Sequence, residues 1–340
     1  MIKKRGFKLD GVTSQSMGLI LPTDPQIYYP SKNKVKERIT GTNEMIDVGS
    51  SILGIEQYNE RRIKITINIL NYNKVDIFST QRIAMDVMNW LMEPSGKRRL
   101  ELDIIPGYYF EAELEDGNDF ETNLLEFGIA EVYFACYPFR KTTYNVGDDI
   151  FRYFDFKEGR RQKTDFRLPG LETVQLPYKK LEVGDVVNLS GWAQSYGGSS
   201  VGKVTRYMLM QNYTITEVRT STINTDPNIY DKTLYQLNTG MVVWAQDIMQ
   251  SVHPYVEANL YNGGVTRVIP DILIGVWQNT SYWQGITIEK DGRMYPMKRS
   301  AESGIRTTNN TIFTLDPGDN KVKIYGVGVN VIFNYEEEKL

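Results

Sequence analysis

Ile63, Ile65, Ile67 and Ile69 alternate with Lys64, Thr66 and Asn68, so a period of two is held across the run. Alternation of β-branched and polar residues predicts a half-buried strand, with isoleucines inward and polar groups in water. Burying each isoleucine stabilises by roughly 1.5–3 kcal/mol before chain entropy is charged, which makes this strand a core element. A helix is predicted next, over about 80–93. Ser79 or Thr80 can cap it, and Ile83, Ala84, Val87, Met88 and Leu91 recur at helical spacing to form one apolar stripe bordered by Trp90. Pro94 and Gly96 end it, because proline cannot continue the hydrogen-bond ladder and glycine readily takes the turn. Leu100, Leu102 and Ile104 alternate again, and Tyr108, Phe110, Ala112 and Leu114 follow. Asp116-Gly117 is a hairpin signal, and Ile129 to Phe134 is a further short strand. Strands around one helix predict an α+β arrangement for this half.

The composition shifts around 140–180, where Arg140-Lys141, Asp148-Asp149, Lys157-Glu158-Gly159-Arg160-Arg161 and Pro169-Gly170 suit a connector or an exposed arm. The second half reads as all-β. Short runs rich in Val, Ile, Tyr and Thr are separated by Asn262-Gly263-Gly264, Asp291-Gly292 and Pro317-Gly318, and Val327, Val329, Val331 and Phe333 alternate near the end. Turn signals at this density predict antiparallel strands in a sandwich or barrel. A chain of 340 residues suits about two domains. The expected division is 1–140, 141–170 as a connector, and 171–340 as a β-sandwich with insertions. The expected class is mainly β with an α+β N-terminal domain.

Several functions are disfavoured by what the sequence lacks. The net charge is −3, from 39 Lys+Arg against 42 Asp+Glu, whereas a protein tracking phosphates needs a basic surplus, so no specific nucleic-acid partner is expected. Cys136 is the only cysteine and His253 the only histidine. No intramolecular disulfide or cysteine zinc site is available, and no Ser-His-Asp triad unless His253 serves. No cofactor or metal is expected. Met1-Ile2-Lys3-Lys4-Arg5-Gly6 is basic, but no apolar run follows, so a secretory signal fails there and folding in a reducing cytoplasm is the expectation. No run of about 18 apolar residues occurs, so no membrane span is expected. Asn212-Tyr213-Thr214 and Asn279-Thr280-Ser281 then carry no meaning as glycosylation signals.

Four constellations can be weighed from residue type alone. Gly197-Gly198-Ser199-Ser200-Val201-Gly202-Lys203 fits the opening of a phosphate-binding loop, but Val204 stands where a hydroxyl must reach Mg²⁺, and no strand–loop–helix frame surrounds it. A hairpin tip is the better reading. Trp192, Trp244, Trp277 and Trp283 are candidate sugar or partner contacts, since exposed aromatic rings stack on sugars, although cores and interfaces also consume tryptophan. Asp316, Asp319 and Asn320 could offer oxygens to Ca²⁺ but lack the spacing of a calcium loop, and Pro317-Gly318 explains the stretch as a turn. No pair of carboxylates announces itself for glycoside hydrolysis.

Taken in order, the segments resemble the distal tail proteins of long-tailed, non-contractile bacteriophages (siphophages). Phe7-Lys8-Leu9-Asp10-Gly11-Val12-Thr13-Ser14 followed by Met17-Gly18-Leu19 resembles that family's N-terminal signature. Tyr58-Asn59-Glu60-Arg61-Arg62 then leads into the isoleucine strand, and the helix ends in Trp90-Leu91-Met92. Pro106-Gly107-Tyr108-Tyr109, Val132-Tyr133-Phe134-Ala135-Cys136-Tyr137-Pro138 and the late Leu315-Asp316-Pro317-Gly318-Asp319-Asn320 follow in the family's order. The resemblance covers 1–140 and 310–340 and departs across about 140–300. It implies a structural virion protein with no catalytic role, assembled in the host cytoplasm and placed at the distal end of the tail. It also implies a homo-hexameric ring built by the N-terminal domain, with a galectin-like β-sandwich outside it. The implied neighbours are the tail tube protein, a tail-associated hub or fibre protein, and a receptor-binding protein of the tail tip or baseplate. The alternative reading is a carbohydrate-binding adhesion protein that meets host cell-wall polysaccharide through its C-terminal sandwich.

Overall fold

The computed structural model describes residues 6–34, 36–38, 45–47, 57–69, 77–92, 96–115, 120–147, 154–155, 160–161, 163–174, 178–196, 204–222, 229–251, 253–278, 285–298, 306–307 and 313–340. Two compact units result, one of residues 1–144 with 338–340 and one of residues 145–337. The fold is mainly β with a mixed N-terminal unit, as the alternating segments predict.

In unit 1 the strands are β1 (Phe7–Leu9), β2 (Val12–Thr13), β3 (Leu19–Ile20), β4 (Gln26–Ile27), β5 (Lys36–Arg38), β6 (Met45–Asp47), β7 (Arg61–Ile69), β8 (Arg98–Leu102), β9 (Tyr108–Leu114), β10 (Ile129–Cys136) and β11 (Arg140–Thr142). The main sheet runs β2-β1-β8-β9-β10-β7-β3, and its pairs are antiparallel. Strands β5 and β6 form a separate hairpin. On β7 the four isoleucines are buried and Lys64, Thr66 and Asn68 are partly exposed, as the period of two requires.

Helix α1 (Ile77–Met92) covers the buried face, with Ala84, Val87, Met88 and Leu91 in the core. The Phe7 ring stacks on Trp90 at 5.5 Å between centroids and meets Phe134 edge-on. The helix begins earlier than the sequence predicts, so Ser79 and Thr80 lie inside it and cannot be its cap. A second helix, α2 (Phe120–Phe127), follows the stretch read as a hairpin; Asp116 and Gly117 themselves lie outside the described residues. The chain's last strand, Glu338–Lys339, returns to unit 1 and pairs with β11.

Unit 2 holds β12 (Phe154–Asp155), β13 (Arg160–Arg161), β14 (Asp165–Arg167), β15 (Val186–Asn188), the short α3 (Arg206–Leu209), β16 (Asn212–Thr220), β17 (Thr233–Leu237), β18 (Val242–Trp244), β19 (Tyr255–Asn262), β20 (Asp271–Val276), β21 (Gly285–Lys290), β22 (Arg293–Lys298), β23 (Arg306–Thr307), β24 (Gly318–Tyr325) and β25 (Val329–Asn334). Two four-stranded sheets, β14-β25-β20-β23 and β19-β24-β21-β22, enclose one core from Phe166, Ile272, Ile274, Ile286, Ile288, Ile324, Val331 and Phe333. This is a β-sandwich. Strand β14 already belongs to it, although it falls in the stretch read as a connector. The Asp291-Gly292 turn signal lies between β21 and β22, where both residues have positive φ and close a two-residue hairpin.

Between β14 and β19 the chain builds a third sheet, β15-β16-β17-β18, over its own core of Val187, Leu189, Tyr213, Ile215, Leu237 and Val243. This insert meets the sandwich where Gly191 lies against β21. The Gly191 N–H donates to Thr287 Oγ1 at 2.9 Å, and a Cβ at Gly191 would fall 1.8 Å from the Ile286 carbonyl oxygen. Only glycine permits so close an approach of two backbones.

Candidate functional site

The residues singled out by type have definite places. Trp192 is 1% exposed, donates from Nε1 to the Gln246 carbonyl at 2.9 Å and meets the His253 ring edge-on. Trp244 is 5% exposed and packs edge-on against Tyr196. Both are core residues of unit 2, so neither presents a ring face to a sugar, and the candidacy of these two is corrected. Trp277 is partly buried, with the Arg167 guanidinium 3.8 Å from its ring centroid, so one face is already covered. Trp283 and the glycine-rich 197–203 lie outside the described residues.

His253 is buried, with Nε2 2.7 Å from the Ile248 carbonyl oxygen, and burial pushes its pKa down to about 4. It is a neutral core residue. The Cys136 thiol is also buried, and desolvation pushes it up to about 12, so it is no nucleophile at neutral pH. Asp316 pairs with Lys290 at 2.7 Å and Arg267 at 2.6 Å, and Lys290 first, then Arg267, holds its carboxyl below the usual range. The Asn320 side chain is buried and bridges the same turn, donating to the carbonyls of Asp316, Gly318 and Leu260. The stretch is a turn closed by its own side chains. Among the described residues no group of three His, Cys, Asp or Glu could hold a metal, and no helix is long and apolar enough to cross a membrane.

The surface that needs an explanation lies on α1. Phe78, Met85 and Met92 are 83%, 59% and 64% exposed. A spacing of seven puts them on one line along the helix, beside the stripe that faces the sheet. The apolar arc of α1 is therefore wider than its own sheet covers. A sequence reading that looked for one stripe missed the second, although the spacing was there to be counted. Elsewhere in unit 1, Arg61 is 4% exposed and its guanidinium lies over the Phe110 ring at 5.5 Å. Its Nε and Nη2 have no hydrogen-bond partner among the described residues, and burial lowers its pKa. Among the described residues of unit 2 the exposed large aromatic side chains are tyrosines. Tyr255 and Tyr261 project from β19, where alternation with Val256, Ala258 and Leu260 was the available signal.

No family model matches the chain, and no curated protein sequence matches it. Among solved structures it is similar to the Dit protein of SPP1, described as a paradigm of the hub adsorption apparatus in phages infecting Gram-positive bacteria. That alignment has a TM-score of 0.46 at 9% identity and covers 98% of each chain.

Proposed function

We propose that this chain is a non-catalytic structural subunit of a bacteriophage tail tip, in which unit 1 joins copies of itself into a closed, six-fold ring. The ring connects the tail tube to the hub, fibre or receptor-binding proteins beyond it. The supporting observation is the exposed line of Phe78, Met85 and Met92 on α1. Apolar side chains aligned on a helix, next to a core already filled, suit burial against another protein surface. In a ring that surface is a different patch on the next copy, repeated until rotation closes it. The ordered sequence motifs in 1–140 and 310–340 supply the phage assignment. The states of the only histidine and the only cysteine agree with a scaffold: one is neutral and enclosed, the other a protonated thiol. Light scattering on the purified chain tests the reading. The expected mass is a hexamer or double hexamer of the 39.1 kDa chain, and a monomer at every concentration would overturn it.

A further inference from the structure

We infer that the outer face of the β19-β24-β21 sheet in unit 2 is a binding site for a neutral, polyhydroxylated glycan. This goes beyond the assembly role and does not rest on it, since every residue involved lies in unit 2.

The register of three strands places outward side chains in rows. Tyr255 lies opposite Tyr325, and Tyr325 opposite Thr287. Glu257, Lys323 and Glu289 form the next row, Asn259 and Lys321 the third, and Tyr261 and Asp319 the fourth. The insert covers the Thr287 end, and Thr287 is fully buried beneath Gly191. The rest of the face stays open as a concavity of about 510 Å³, lined by Glu257, Asn259, Glu289, Asp291, Lys321 and Lys323. That volume is within the range of small-ligand sites.

Two sets of side chains lie in and around this concavity. One set is held in place. Tyr325 Oη donates to Glu289 Oε2 at 2.6 Å, Lys323 Nζ is 3.7 Å from the same oxygen and 5.5 Å from the Tyr255 ring centroid, and Asn259 donates to Asp319 at 2.7 Å. The other set, Glu257, Lys321 and Asp291, has no side-chain hydrogen bond or ion pair among the described residues. Open acceptors and an open donor on a rigid floor, between two exposed tyrosine rings, match the chemistry of a sugar. Carboxylates and ammonium groups bond adjacent hydroxyls, and aromatic faces cover the ring's C–H surface. Carboxylates outnumber lysines on the face, which disfavours sulfated or phosphorylated glycans.

The test uses the full chain against immobilised neutral oligosaccharides of glucose, galactose and N-acetylglucosamine, with sulfated oligosaccharides of equal length as controls. Binding to at least one neutral member is expected. Glu257→Ala and Lys321→Ala, both at exposed positions, should each weaken it about tenfold or more, because each removes a charge-assisted hydrogen bond. Tyr255→Ala should also weaken it, and unchanged thermal unfolding of the variants would establish that the loss is local. The inference is overturned if no neutral oligosaccharide binds, if the sulfated ones bind better, or if the three variants bind as the parent does. Oligomeric mass, read in the same samples, separates this result from the fate of the ring proposal.

Discussion

The sandwich of unit 2 and the sheet of unit 1 solve the same burial problem differently. In the sandwich each sheet is the other's cover, so Phe166, Phe313 and Phe333 meet in one interior and the open face of β19-β24-β21 is left to polar groups and tyrosines. In unit 1 the cover is a helix, and that helix keeps Phe78, Met85 and Met92 in water. A domain closed on itself has no need of a neighbour. One with an apolar line left over has a reason to find one, and on this contrast rest the two proposals, assembly through unit 1 and ligand recognition by unit 2.

The contrast can be broken from either side. Phe333→Ala, deep in the sandwich, should lower unfolding free energy by about 3–5 kcal/mol in a urea titration, because transfer and cavity costs add there. A loss much below about 1 kcal/mol would show that the two sheets do not depend on one another.

Acid should sharpen the difference, because the only histidine lies in the insert of unit 2. The unfolded chain takes up a proton at His253 below about pH 6.5, whereas the folded chain resists until about pH 4. Its contribution to stability is therefore full above pH 6.5 and falls as pH drops from 6.5 to 4, by about 3 kcal/mol in all. Urea unfolding at pH 7 and pH 4.5 should show most of that fall, and His253→Gln should flatten it. A slope unchanged by the substitution would mean that carboxylates, not this imidazole, set the acid response.

The smallest effect on stability is expected in unit 1. Phe78→Ser combined with Met85→Ser should leave unfolding within about 0.5 kcal/mol of the parent, since neither side chain is in the core. The same pair should lower the mass seen by light scattering, and an unchanged mass would remove α1 from the interface.

Local pattern was readable and long-range pairing was not. The isoleucine strand, the inward stripe of α1 and the Val329, Val331 and Phe333 run were legible because period alone decides which face is buried. Nothing local says that Phe7 on β1 lies opposite Leu102, or that Asp165 on β14 lies opposite Ile332. The third sheet was hidden for the same reason. Helix α2 has only eight residues, too few for periodicity to outweigh a neighbouring turn signal. At the candidate sites, aromatic type alone did not decide exposure: Trp192 and Trp244 are interior, while Tyr255 and Tyr261 are among the exposed rings. Burial of a given tryptophan depends on the fold around it, which composition does not encode.

The pairing of Glu338–Lys339 with β11 means that the chain leaves unit 1 after Tyr144 and comes back. Tyr137 donates to Glu338 at 3.1 Å, so the returning strand is gripped by a side chain as well as by backbone bonds. Unit 2 is thus spliced into its host rather than hung from it. A single proteolytic nick within unit 2 leaves each fragment covalently rooted in unit 1, and a pull on unit 2 is shared between two cables.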